Sequence, residues 1–132
     1  EVLESLGVPE IAFGQDSFPA FWSSTSSLPA PQRMDSPREI ALAHRLRADL
    51  GLPGGQLVAN PIPASAEIPE AEIIERATAE AEAAGISGKA LTPFLLDRIR
   101  DLTGGRSLSA NIALVISNAR LAAAIATEIA RP

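Results

Sequence analysis

The stretch QLVANPIPAS, Gln56 to Ser65, runs three apolar residues into an asparagine and then a proline-broken loop. Leu57, Val58 and Ala59 read as a short strand covered on both faces, because a continuous apolar run bounded by breakers suits a buried parallel strand. Pro61 ends it. A proline cannot donate to a sheet ladder and pushes the residue before it out of the helical region, so Asn60 is held extended at the strand's carboxyl end. Open α/β sheets place ligands there, which makes Asn60 a candidate substrate-binding residue. The plainer alternative is a capping asparagine in a rigid loop.

Upstream, EVLESLGVPEIAFG gives the last turns of a helix, a Gly7 cap and a strand over Glu10 to Phe13. The chain is therefore expected to begin inside an element, with further sequence before Glu1. Phe18 to Ser36 is rich in Pro and Ser, and Phe18, Phe21 and Trp22 favour an ordered loop if they share a hydrophobic slot. Ser36, Pro37 and Glu39 form a capping-box signature, and a helix to about Leu50 repeats Ile40, Ala43, Leu46 and Leu50 at helical spacing. Gly51 and Pro53 stop it.

Downstream come three more helices. Pro69 to Ala84 is acidic and should bury Ile73, Ile74, Ala77 and Ala81 before Gly85 ends it. Thr92 and Pro93 open the next, with Leu95, Leu96, Ile99 and Leu102 inward, and Gly104 and Gly105 break it. Ser107 is expected to cap the last. The fold class is α/β. Two visible strands are too few for a sheet of their own, so they should add to a larger sheet.

The chain has 132 residues, enough for one domain. With four Phe, one Trp and no Tyr, Ala, Leu and Ile must supply most of the packing. A net charge of -5 and no basic stripe argue against a nucleic-acid surface. The absence of cysteine rules out disulfides and thiolate metal sites and fits a reducing cytoplasm. The apolar stretch Ile112 to Ile129 is interrupted by Asn118, Arg120 and Glu128, which are costly in lipid, so a soluble core helix is expected and no membrane partner.

On that last helix Asn111, Val115, Asn118, Ala122, Ile125 and Ile129 fall on one stripe. A buried amide without partners costs roughly 1 to 3 kcal/mol, so both asparagines need partners. Asn118, mid-helix, should bond a neighbouring loop. Asn111 follows TGGRSLS in what reads as the first turn, where free N–H groups and the helix dipole favour a polar ligand, although it could equally brace the glycine loop. Lys89, the only lysine, has nothing nearby to desolvate it and reads as a solvated loop residue. His44, the only histidine, lacks a second ligand at metal spacing. Glu67, Glu70, Glu72, Glu75, Glu80 and Glu82 mostly decorate a solvated face. Gly104 and Gly105 lack the spacing and lysine of a P-loop.

Taken together, FPAFW, RMDSPREIA, GGQLVANPIP, GKALTPFLLDRIRDLTGG and SLSANIALVISNARLAAAIA resemble the pseudouridine-5′-phosphate glycosidase, or indigoidine synthase A-like, family in order and spacing. The resemblance runs from Glu1 to about Ile129 and corresponds to the C-terminal part of a family member. It implies a three-layer α/β/α sandwich in a single catalytic domain, whose helix-rich C-terminal part is residues 1–132. It implies reversible cleavage of the C–C glycosidic bond of pseudouridine 5′-phosphate to uracil and ribose 5-phosphate through a lysine imine, with manganese or a similar divalent metal, in a cytoplasmic homotrimer. The imine lysine, acidic proton donor and metal-site aspartate would come from the N-terminal part, and Lys89 does not match that lysine. Of the family's active-site residues, the asparagine of SLSANIALV maps to Asn111, and no metal ligand falls in this chain. The rival is a non-catalytic helical packing or oligomerisation module. A lysine and a metal-site aspartate encoded upstream would separate the two.

Overall fold

The computed structural model describes residues 2–68 and 71–131, without the side chains of 71 and 72. Strand β1 (Glu10–Phe13) lies between β2 (Gln32–Met34) and β3 (Leu57–Ala59), and both pairings are parallel. Ile11 stands opposite Gln32 on one side and Val58 on the other. The architecture is α/β, as expected, but among the described residues with three strands rather than two. Gln32 and Arg33 of β2 are exposed, so this edge strand carries no apolar run for a sequence reading to detect. Arg33 instead pairs with Asp16 at 3.0 Å and Asp35 at 2.8 Å. Leu57 is 43% exposed, so β3 is not covered on both faces; among the described residues it is an edge strand. The buried strand is β1, where Ile11 and Ala12 are fully covered.

Helix α1 (Val2–Ser5) ends at Gly7, whose φ of 71° permits the Val8 N–H to reach Leu3 O at 2.9 Å. Helix α2 (Pro37–Asp49) starts with the capping box intact: Ser36 Oγ accepts from Glu39 N, and the Glu39 carboxylate accepts from Ser36 N. It buries Ile40 and Ala41, whereas Leu46 and Leu50 are exposed, so its covered face is narrower than the apolar spacing suggested. Between β1 and α2 the chain is ordered. Phe18 N donates to Leu28 O and Ala30 N to Asp16 O, both at 2.9 Å, closing the loop around a buried Trp22. Phe21 stays half-exposed and meets Trp22 edge-on at 4.6 Å.

Helices α3 (Ala71–Ala83) and α4 (Leu91–Leu102) pack together, with Ala77 of α3 and Ile99 of α4 buried in one apolar cluster; Ala81 is fully buried on the same helix as Ala77. Small side chains on α3 let the helices approach, and truncating a buried isoleucine such as Ile99 costs about 2 to 5 kcal/mol. Arg98 Nε and Nη2 both donate to the Glu80 carboxylate, bridging the pair. The expected start of α3 at Pro69, and Glu70, lie outside the described residues, as does the Glu72 side chain. A 3₁₀ turn over Gly88–Ala90 leads into α4, so the helix opens at Leu91 with Ala90 as its N-cap, Thr92 and Pro93 are its second and third residues rather than its opening pair, and Leu96 is 43% exposed instead of inward.

Helix α5 (Arg106–Ile129) is 24 residues long. One half packs with Trp22, Ile62, Ile68, Ala77 and Ile99 through Ala110 and Leu114, and the helix also packs along α2, where Arg45 donates to Glu128 O at 2.9 Å. Among the described residues it alone is long and apolar enough, by length and composition, to cross a membrane. It was expected as a core helix. Its buried face is Ser107, Ala110 and Leu114, while Leu108, Ile112, Val115 and Ile116 are exposed.

Candidate functional site

The start of α5 departs from the sequence reading in a way that matters for Asn111. Gly104 and Gly105 have φ of 60° and 86°, and this double left-handed turn makes Gly105 the N-cap in place of Ser107. The cap hydroxyl belongs to Thr103, which accepts from Ser107 N at 3.1 Å and donates to Arg100 O at 3.1 Å. Arg106 N bonds Thr103 O and Leu108 N bonds Gly105 O. The first N–H groups are thus committed to the turn itself. Asn111 lies in the second turn, not the first, so its surroundings are set by side chains rather than by open amides.

Those side chains form a cavity of about 170 Å³, in which Asn111 is joined by Trp22, Leu96, Asp97, Arg100, Ser107 and Leu108. Asp97 and Arg100 pair at 3.0 Å across one turn of α4, and Arg100 also reaches Asp101 at 3.2 Å. The cavity therefore combines an indole ring, an amide, a hydroxyl and an ion pair. Such a wall can hold a small polar molecule by hydrogen bonds while an aromatic face excludes water from one side. The sequence pointed to Asn111 but not to its neighbours. Asp97 and Arg100 carried a usable signal, an opposite-charge pair three residues apart on a helix; Trp22 was read as packing alone.

Asn60 sits at the end of β3 as expected, half-buried, and its Nδ2 donates to Ser117 Oγ at 3.0 Å and Asn118 Oδ1 at 2.9 Å. Asn118 is exposed, not buried, yet it does bond a neighbouring loop. The two asparagines line a second cavity, of about 260 Å³, with Val58, Leu121, Ala122 and Ile125. Asn60 and Asn111 are not brought together: the two cavities share no lining residue. They open instead along one stripe of α5, where Asn111 and Asn118 are separated by two turns, or roughly 10 Å of helix rise. The same stripe was expected to be apolar and buried, but Val115 is 58% exposed between them.

Lys89 is exposed on the 3₁₀ turn before α4. His44 is half-buried on α2 and faces an apolar groove with Ile40, Val58, Ile125 and Ile129. Among the described residues no three His, Cys, Asp or Glu side chains cluster so as to hold a metal ion. Glu67 is not a free surface charge. Its Oε1 accepts from Ser24 N at 2.7 Å, Ser23 Oγ at 2.9 Å and Ser24 Oγ at 3.0 Å, and these bonds hold its carboxyl below the usual range, the Ser24 backbone bond contributing most.

Residues 1–128 match the family model described as indigoidine synthase A like protein. The chain is 66% identical over 98% of its length to a Paracoccus denitrificans protein named pseudouridine-5′-phosphate glycosidase, and 64% identical over 98% to one of the same name from a Jannaschia species. It spans 44% of the length of each. Among solved structures it resembles an indigoidine synthase A-like protein from Thermotoga maritima, at a TM-score of 0.84 and 36% identity, covering 98% of this chain and 43% of that one. It also resembles the prealnumycin C-glycosynthase AlnA in complex with ribulose 5-phosphate, at a TM-score of 0.85 and 29% identity, covering 96% of this chain and 43% of that one. The chain belongs to the indigoidine synthase A-like family.

Proposed function

We propose that this chain is the C-terminal part of the single catalytic domain of a pseudouridine-5′-phosphate glycosidase, a three-layer α/β/α enzyme acting as a cytoplasmic homotrimer. The observation that carries the reading is the 66% identity to a relative of that name across nearly the whole chain. The reaction adds water across a C–C glycosidic bond: C1′–C5 breaks, C5 of the base takes a proton, and the products are uracil and ribose 5-phosphate. A carbon leaving group has no heteroatom to protonate as in an ordinary glycoside, so an opened sugar held as a lysine imine supplies the electron sink at C1′. That lysine, the acidic proton donor and the metal-site aspartate are assigned to the N-terminal part.

Asn111 is the catalytic residue assigned to this chain. Its amide can donate and accept without adding charge, and so can orient a reacting group beside the Trp22 ring. Asn60 is assigned to substrate binding at the end of β3. A divalent metal such as manganese is assigned to the N-terminal part, and no step of the chain's own chemistry runs through it. The exposed Leu108, Ile112, Val115 and Ile116 favour packing as the chain's other contribution, against the remainder of the domain or a second subunit.

The test is uracil release from pseudouridine 5′-phosphate. The full-length protein should turn over and the 132-residue chain should not; no release by the full-length protein, or release by the chain alone, would overturn the assignment.

A further inference from the structure

Trp22 forms one wall of the Asn111 cavity, yet its indole N–H finds no hydrogen-bond partner among the described residues although it is buried. The ring is therefore not held by its own polar atom. What fixes it is packing and its main chain. Trp22 O accepts from Ile68 N at 2.8 Å, and the next two residues are held by Glu67, whose Oε1 takes the Ser24 N–H and both serine hydroxyls. Ser24 O in turn accepts from Gln15 Nε2 at 2.8 Å. Residues 22–24 are thus stitched to 67–68, immediately after the PIPAS loop. Three donors converging on one carboxylate oxygen make charge-assisted bonds, the stronger kind in a protein. The loop that presents Trp22 has little regular structure beyond one β-bridge, Ser17 to Pro29, so it depends on such tethers.

We propose that Glu67 is a positioning residue for the Asn111 cavity: its carboxylate pins Ser23 and Ser24 and so fixes the Trp22 ring as a wall against which substrate is held. The placement of substrate there rests on the glycosidase reading; the clamp does not. A wall contributes binding that is similar in ground and transition states, so its loss falls on KM more than on kcat.

The experiment compares the full-length protein with its Glu67→Ala and Glu67→Gln variants, each also made in a Trp22→Phe background so that the Trp22 fluorescence is isolated. Glu67→Ala should raise acrylamide quenching of Trp22 by about twofold or more, because a loosened loop opens to solvent. It should raise KM for pseudouridine 5′-phosphate by about fivefold or more with kcat within about twofold. Glu67→Gln keeps an acceptor oxygen and should lie between. Unchanged Trp22 quenching in a folded Glu67→Ala protein overturns the clamp, and raised quenching with an unmoved KM overturns its role in the site. If Glu67→Ala does not fold, Glu67→Gln carries both readings. If the wild-type protein releases no uracil, the glycosidase reading fails by itself, and the quenching comparison still decides the clamp.

Discussion

Asn60 at the end of β3 and Asn118 in the middle of α5 meet side chain to side chain, Nδ2 to Oδ1 at 2.9 Å, with Ser117 Oγ as a second acceptor at 3.0 Å. Two segments distant in sequence are joined by one amide. Asn60→Ala and Asn118→Ala should each cost about 0.5 to 1.5 kcal/mol, and the double variant less than their sum, because both remove the same bond. Asn118→Asp keeps the acceptor oxygen and should stay within about 0.5 kcal/mol of wild type. Urea midpoints of the wild type and the four variants check this.

Asn111→Asp keeps the size of the side chain but replaces an amide donor with an anion beside the Asp97–Arg100 pair. In the full-length protein the turnover rate should fall at least about tenfold, or roughly 1.4 kcal/mol, while the melting temperature holds. Turnover per folded molecule is the deciding measurement; a normal rate in a protein that melts early would make the residue structural.

Thr103 caps α5 from outside the helix and is only 5% exposed. Thr103→Val preserves shape and removes the hydroxyl, leaving the Ser107 N–H without its acceptor. The expected loss is about 1 kcal/mol, within the 0.5 to 2 kcal/mol range for caps, read from denaturant unfolding. Thr103→Ser, which retains the hydroxyl, should recover most of it.

Glu80 is held down to about 2 from 4.5, chiefly by hydrogen bonding from Arg98, with Arg76 adding a second bond at 3.1 Å and burial opposing both. A carboxyl whose pKa is lowered by folding stabilises the protein fully above its unfolded value and loses that contribution as pH falls through the folded one. The α3–α4 pairing should therefore weaken between about pH 4.5 and pH 2. Because Glu80 and Arg98 are about a third exposed, salt should blunt the effect. Melting temperature against pH for wild type and Glu80→Gln checks it; the variant should be flatter across that window.

The elements with strong local chemistry were legible in the sequence. The capping box at Ser36 and Glu39, the glycine stops at Gly7, Gly51 and Gly85, and the Ala77–Ala81 face all stand where spacing put them. The strand β2 was not, because QRM on a sheet edge carries no periodicity and is defined by its pairing with β1. The start of α5 was misread for a similar reason. Ser107 has the right chemistry for a cap, but two consecutive left-handed glycines bring the Thr103 hydroxyl to that position first. At the candidate site the sequence marked Asn111 and Asn60 singly. It could not show that they line separate cavities or that Glu67 reaches Ser23 and Ser24, since both facts depend on how a loop without periodicity closes.

The parallel order of the sheet also sets a schedule for assembly. β1 is central but comes early in the chain, and neither of its neighbours can pair with it until a long connection has closed: the Trp22 loop for β2, then α2 for β3. Loop closure must precede any stabilisation from such pairings, whereas α3 and α4 are sequence neighbours and can dock through Ala77 and Ile99 with little chain to organise. The helical half of the chain should thus acquire hydrogen-exchange protection before the strands during refolding, with α2, which touches β2 and packs along α5, as the element that joins the late-forming sheet to it.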